Sequence, residues 1–195
     1  MKVLKFGGTS LGSAKRMKNV AELVTNNGGR NILVLSAVSG TTNSLVAISE
    51  AFSQGHFEKG LAIIEQLDSK YQHYLKELLK EDTFLTKAQD FLTLKVELLK
   101  SFAQEGFSLK NTKEILAQGE LISTQLMCWY LAEKDVEAVL LSSFDFMRTR
   151  EQEPDHEYIK ENLQTVLGKH SQAKLFIAQG YICLNEEEEI FKEGF

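Results

Sequence analysis

The sequence is poor in several things that would each point to a class of protein. It has one proline and two cysteines in 195 residues. Cys128 and Cys183 stand far apart and neither belongs to a CxxC pair, so they offer neither a disulfide framework nor a thiolate metal site. No stretch approaches the roughly 20 apolar residues of a membrane span. Lys2 and Lys5 interrupt the short apolar run at the N-terminus, which a secretory signal would need unbroken. A basic excess is also missing. Twenty-two Lys and Arg face 27 Asp and Glu, a net charge of −5 with no basic stripe. The expectation is a cytoplasmic protein with neither a membrane nor a nucleic acid as partner. His56, His73, His156 and His170 are scattered in polar surroundings and read as surface residues. No Ser/His/Asp set, Cys/His set or metal-ligand spacing is present, so no metal site is expected.

What is present is an ordinary globular balance, 43% hydrophobic and 25% charged, in a chain long enough for one sizeable core. The charge is unevenly placed. Residues Asn185 to Phe195 contribute −4 of the −5, most of it from the run Glu186 to Glu189.

Four short apolar runs predict strands buried on both faces: Val3 to Phe6, Ile32 to Leu35, Val136 to Leu141 and Leu175 to Ala178. Helical spacing lies between them. Ala14, Met17, Ala21 and Val24 recur on one face, and Asn26-Asn27-Gly28-Gly29 ends that helix. Leu61, Ile64, Leu67, Tyr71, Leu75 and Leu78 make a second stripe. Leu85, Ala88, Leu92, Val96, Leu99 and Phe102 make a third, and Ile115, Ile122, Leu126 and Trp129 a fourth. A shorter helix is predicted from Asp155 to Leu167, with Pro154 marking its entry. Cys128 falls in an apolar run and reads as a small core residue. The order is βαβ, a helical block from Asn43 to Leu131, then βαβ. That order predicts an α/β fold with a parallel sheet and helices on both faces. No linker divides it.

Three places carry candidate chemistry. The first strand ends in Lys5-Phe6-Gly7-Gly8-Thr9-Ser10-Leu11-Gly12 and a helix follows. Paired glycines let a ligand approach the backbone, and free amides at a helix start favour an anion. Lys5 adds a positive charge, Thr9 and Ser10 hydroxyl donors. A phosphate group suits this loop. The plain alternative is a tight turn with Ser10 as the helix cap. The second strand ends in Ser36-Ala37-Val38-Ser39-Gly40-Thr41-Thr42-Asn43. In a parallel sheet this strand end shares a crevice with the first. The hydroxyls of Ser36 and Thr42 suit a carboxylate or an amino group, and the plain alternative is that Thr42 or Asn43 caps the next helix. In the fourth helix, Gly119-Glu120 puts a carboxylate beside a residue that permits close approach. Glu120 lies off the apolar stripe, so a solvated side chain is the plainer reading. A carboxylate that binds a substrate ammonium is the alternative.

Together these segments resemble the aspartate kinase branch of the amino-acid kinase family. Lys2-Val3-Leu4-Lys5-Phe6-Gly7-Gly8-Thr9-Ser10 is similar to the family's N-terminal motif. Val34-Leu35-Ser36-Ala37 with Thr42-Asn43 resembles the second motif, and Gln118-Gly119-Glu120-Leu121 with Ser123 the third. The resemblance runs from Met1 to Cys183 and implies a three-layer αβα sandwich with a mainly parallel sheet, carrying a helical block between its second and third strands. It implies transfer of the γ-phosphoryl group of ATP to the side-chain carboxylate of aspartate. That is the first step toward lysine, threonine and methionine. Mg²⁺ would enter with the nucleotide. By the same resemblance Lys5 neutralises charge on the transferring group, Gly7 and Gly8 offer amides to the nucleotide phosphates, and Thr9 lies alongside. Ser36, Ala37 and Thr42 line the amino-acid pocket, and Glu120 takes the α-ammonium. A homo-oligomer is implied for the full-length protein.

The family continues to a Gly-Arg-Gly-Gly-Ser-Asp type segment that holds further substrate and nucleotide contacts. Here Leu184-Asn185-Glu186-Glu187-Glu188-Glu189 stands instead. Residues 1–183 are therefore expected to be the N-terminal part of a catalytic domain, inactive alone, and 184–195 an acidic tail. Two other readings stay open. One is a family member acting on glutamate or an acylated amino acid, the other a non-catalytic interaction module.

Overall fold

The computed structural model describes residues 1–26, 28–103 and 107–191. Asn27, expected at the end of the first helix, and the last four residues of the acidic segment lie outside the described residues. The chain begins with β1 (Lys2–Phe6), a 3₁₀ turn (Gly8–Leu11), α1 (Ala14–Asn26) and β2 (Asn31–Leu35). Four helices follow: α2 (Thr41–Ser53), α3 (Phe57–Leu78), α4 (Asp82–Ser101) and α5 (Leu109–Glu133). Then come β3 (Val139–Leu141), a short hairpin of β4 (Thr149–Arg150) and β5 (Glu153–Pro154), α6 (His156–Gly168) and β6 (Leu175–Gln179). The hairpin β7 (Cys183–Leu184) and β8 (Ile190–Phe191) closes the described chain.

The main sheet is wholly parallel, in the order β1-β2-β6-β3. Its two faces bury different residues, because successive side chains of a strand point to opposite sides. Leu33, Leu35, Leu175 and Ile177 face the large core built with α1 to α5. Ile32, Phe176 and Ala178 face a smaller core with Leu141, Phe146 and Leu167, the last from α6. This is the expected three-layer αβα arrangement, with the helical block between the second and third strands. No helix among the described residues is long and apolar enough to cross a membrane.

Three details depart from expectation. β1 is an edge strand, and its Val3 is 65% exposed, so burial on both faces holds for β2 and β6 but not for β1. β3 is shorter than the apolar run, because the Val136 amide bonds the Leu131 carbonyl and that stretch closes the turn after α5. The acidic segment is folded as far as Phe191. Asn185 and Glu189 join the hairpin by a backbone bond of 2.8 Å, and Arg150 meets Glu186 at 3.2 Å.

α5 and α6 begin with side-chain caps. Ser108 and Asn111 form a capping box at the start of α5, and Asp155 caps α6 through the Tyr158 amide. Pro154 precedes that cap, on β5. α4 has no side-chain cap of its own. The buried carboxylate of Glu133, at the end of α5, accepts the amides of Lys80 and Glu81 at 2.7 and 3.0 Å. Burial pushes its acidity down, but those two amides and the Lys134 ammonium outweigh burial and hold its pKa below the ordinary glutamate value. A carboxyl depressed in the folded state stabilises above its unfolded pKa and loses that contribution as pH falls through the folded one. Glu133→Gln is therefore expected to lower the melting midpoint at pH 7 by about 2–4 °C, the worth of roughly 1 kcal/mol of capping in a chain of this size. The gap should close in acid. An equal gap at pH 7 and pH 3, read by calorimetry, would show that the charge of Glu133 plays no part.

Candidate functional site

Phe6, Leu35 and Gln179 end their strands in register, so the loops that follow β1, β2 and β6 emerge side by side. The first loop passes through Gly7, in extended backbone, into the 3₁₀ turn. The Ser10 amide closes the turn on the Gly7 carbonyl at 2.9 Å. The first amides of such a turn, those of Gly8 and Thr9, have no carbonyl to bond within it. Ser13, rather than Ser10, accepts the Arg16 amide in the first turn of α1. Gly7 and Gly8 are glycine for different reasons. A Cβ at Gly8 would lie 2.8 Å from the Ala37 carbonyl, so glycine there lets the first two loops touch. A Cβ at Gly7 would meet no described atom within 4 Å, which leaves its backbone open to approach.

The second loop runs from Ser36 to Gly40. Gly40, in the left-handed region, ends it and begins α2, so neither Thr42 nor Asn43 is the cap. Thr42 lies half-buried in the first turn of α2. α5 packs directly on this loop. A Cβ at Gly119 would stand 2.7 Å from the Ala37 Cβ, closer than a side chain can come. That approach turns Glu120 inward. It is 2% exposed, and its Oε1 accepts the Ala37 amide at 3.3 Å. The solvated reading of Glu120 is thus overturned. The position faces the end of β2 because the missing side chain at 119 lets the helix close on the loop.

Further polar groups support this floor. The Ser123 hydroxyl donates to the Ser36 carbonyl at 2.9 Å. The Thr124 hydroxyl donates to the Glu120 carbonyl, and Gln179 donates to Thr124 at 3.0 Å. Gln179 in turn accepts the Ser143 amide at 2.8 Å, and the Ser143 hydroxyl donates to the Gln179 carbonyl. All five side chains from Glu120 to Ser143 in this network are buried. Buried polar groups cost free energy unless paired, so the chain of bonds fixes Glu120 and the strand ends as one unit. Tyr71 of α3 shares a 2.9 Å hydroxyl bond with Thr41. Burial, and more weakly the negative charge of Glu120, push the Tyr71 pKa above its ordinary value, so it stays a neutral hydroxyl.

Lys5 is placed apart. It alternates with Leu4 and Phe6 and so lies on the opposite face of the sheet. There it lines an open apolar cleft of about 260 Å³ with Val34, Ala178, Gly180 and Tyr181. The structure therefore joins Gly8, Ser36, Ala37 and Glu120 in one cluster, with Gly7 and Thr9 beside it. Thr42 follows in the adjoining helix, and Lys5 sits one residue back from the loops, on the other side of the sheet. Gln179 and Ser143 escaped notice in the sequence. The one usable signal was a glutamine closing an otherwise apolar run. Cys128 is half-buried, and burial pushes its thiol up to about 12, so it is no nucleophile. Among the described residues no group of three or more His, Cys, Asp or Glu is placed to hold a metal ion.

Residues 1–194 match the model of the amino acid kinase family. Over 185 residues the chain is 32% identical to lysine-sensitive aspartokinase 3 of Escherichia coli, a match spanning 92% of this chain and 40% of that protein. The crystal structure of E. coli aspartokinase III with aspartate and ADP superposes on 98% of this chain and 43% of its own, with a TM-score of 0.78 at 29% identity. The same enzyme with lysine and aspartate gives a TM-score of 0.80 over all of this chain and 44% of its own. The chain thus spans about two fifths of the length of these relatives.

Proposed function

This chain belongs to the amino acid kinase family, and we propose that the protein carrying it is an aspartate kinase. Such an enzyme transfers the γ-phosphoryl of ATP to the side-chain carboxylate of L-aspartate. The observation that carries the proposal is the buried Glu120 carboxylate on the Ala37 amide, directly beneath the contact of the glycine-rich loop with the second loop. A fixed negative charge there suits the substrate ammonium, and the adjoining amides suit phosphate oxygens. The relatives with aspartate and ADP support the choice of both ligands.

The proposed roles are those that the family resemblance implies. Gly7 and Gly8 present backbone amides to the nucleotide phosphates and Thr9 lies alongside. Lys5, one residue before the end of β1 and on the opposite face of the sheet, carries its charge on a flexible stem and neutralises the γ-phosphoryl group. Ser36, Ala37 and Thr42 line the amino-acid pocket, with Glu120 on the α-ammonium. The attacking group is the substrate's own carboxylate, ionised at neutral pH, so the reaction needs no general base from the protein. Catalysis is then positioning and charge stabilisation. Mg²⁺ enters as part of the nucleotide substrate and supplies further charge neutralisation at the phosphates. We take residues 1–183 as the N-terminal part of the catalytic domain, in a cytoplasmic homo-oligomer.

The test is substrate profiling in a coupled ADP-release assay, on the whole protein that carries these residues. Aspartate should exceed glutamate in kcat/KM by about 10–200-fold, the discrimination that one methylene allows. Preference for glutamate or an acylated amino acid would move the protein to another branch of the family.

A further inference from the structure

Helix α3 grips both loops of the site, and none of its residues belongs to the proposed ligand set. It does so with three residues on adjacent turns. The Tyr74 hydroxyl donates to the carbonyl of Leu11, at the end of the 3₁₀ turn, at 2.8 Å. The Tyr71 hydroxyl bonds Thr41 at 2.9 Å, just past the second loop. The Lys70 ammonium donates to the Ser39 carbonyl of that loop at 2.7 Å. Tyr71 is 1% and Tyr74 5% exposed, so neither ring is open to a ligand. Each could serve the core as phenylalanine; only the hydroxyls reach the loops.

The loops also touch each other. Gly8 meets the Ala37 carbonyl, and a Cβ on Gly12 would come within 3.1 Å of the Ser39 Cβ. Two loops in contact and bonded to one helix keep a fixed spacing only if that helix is fixed. α3 is. Ile64, Leu67, Leu75 and Leu78 bury it on the same core as the sheet. The anchors are separate, however: Tyr74 bonds the end of the first loop, and Tyr71 the first residue of α2, where the second loop ends.

We propose that Tyr71 and Tyr74 are positioning residues that set the two ligand loops independently, Tyr71 the amino-acid loop and Tyr74 the phosphate loop. The pairing of each loop with its ligand rests on the aspartate kinase reading; the anchoring of the loops does not.

Tyr71→Phe and Tyr74→Phe in the whole protein test it. Tyr71→Phe should raise KM for aspartate about fivefold, the effect of one hydrogen bond, with KM for ATP within twofold. Tyr74→Phe should do the reverse, raising KM for ATP and lowering kcat. Thr41→Val removes the partner hydroxyl and should add little to Tyr71→Phe. It also carries the test should Tyr71→Phe fail to fold. Equal changes in both KM values from both variants, or no change from either, would overturn the proposal while leaving the aspartate kinase reading intact. Absence of aspartate-dependent turnover in the wild type would instead sink that reading. Amide hydrogen exchange then decides the anchoring. Tyr71→Phe should speed exchange at Thr41 and Ser44, and Tyr74→Phe at Ser10 and Gly12, whose amides close the respective turns. Uniform acceleration, or none, would refute it.

Discussion

Lys5→Ala in the whole protein is expected to lower kcat by about 10²–10³-fold, the usual effect of deleting one donor aimed at developing charge. KM for aspartate should stay within about threefold. The split follows from geometry. Lys5 lies on the face of the sheet opposite to the one that carries Glu120, and its neighbours there are Val34, Ala178, Gly180 and Tyr181 rather than the residues of the amino-acid pocket. It is solvent-exposed and close to the end of an edge strand, so its removal leaves no buried group unpaired. The melting temperature should therefore hardly move. Lys5→Arg should recover only part of the rate, because a planar fork presents its donors differently from a compact ammonium. Single-turnover measurement of the chemical step checks the assignment. A raised KM for aspartate with an unchanged kcat would place Lys5 in the amino-acid pocket and make its proposed role wrong.

The strand ends were easy to read because they are local. An apolar run followed by paired glycines needs no knowledge of the rest of the chain, and β2, β6 and the loops after β1 and β2 lie where the sequence places them. What escaped depends on neighbours. Val3 looks like any core valine, yet it is exposed because β1 lies at the edge of the sheet, and strand order is not written in the strand. Glu120 misled for a related reason. The stripe of Ile115, Ile122, Leu126 and Trp129 suggests a helix with one apolar face. α5 is buried on more than one side, with Ala117, Ser123, Thr124 and Met127 as inaccessible as Ile115. Trp129 is only half-buried, packing at the margin of the core and edge-on with Phe91. The glycine at 119 was the real clue, since it marks where another element comes too close for a side chain. Gln179 and Ser143 carried no comparable signal. A buried amide bridging two strand ends acquires meaning only once β3 and β6 are neighbours.

Glu120→Gln should separate the charge of this site from its architecture. Glutamine keeps the shape and can still accept the Ala37 amide through Oε1, as glutamate does now at 3.3 Å. The folded chain keeps the Ala37 bond and no longer buries a charge, so its melting temperature should change far less than in the alanine variant. The substrate ammonium, by contrast, loses its counter-charge in a buried place. Deleting one partner of a buried charge pair costs about 2–5 kcal/mol, so KM for aspartate should rise about 30-fold or more. KM for ATP should not follow, because the nucleotide amides lie on the other loop. Glu120→Ala differs in one respect that makes the pair informative. It leaves the Ala37 amide without that acceptor and removes a buried side chain, so it should lose stability as well as affinity. If the glutamine variant bound aspartate as well as the wild type while the alanine variant melted early, Glu120 would be an architectural residue. The ammonium site would then have to lie elsewhere.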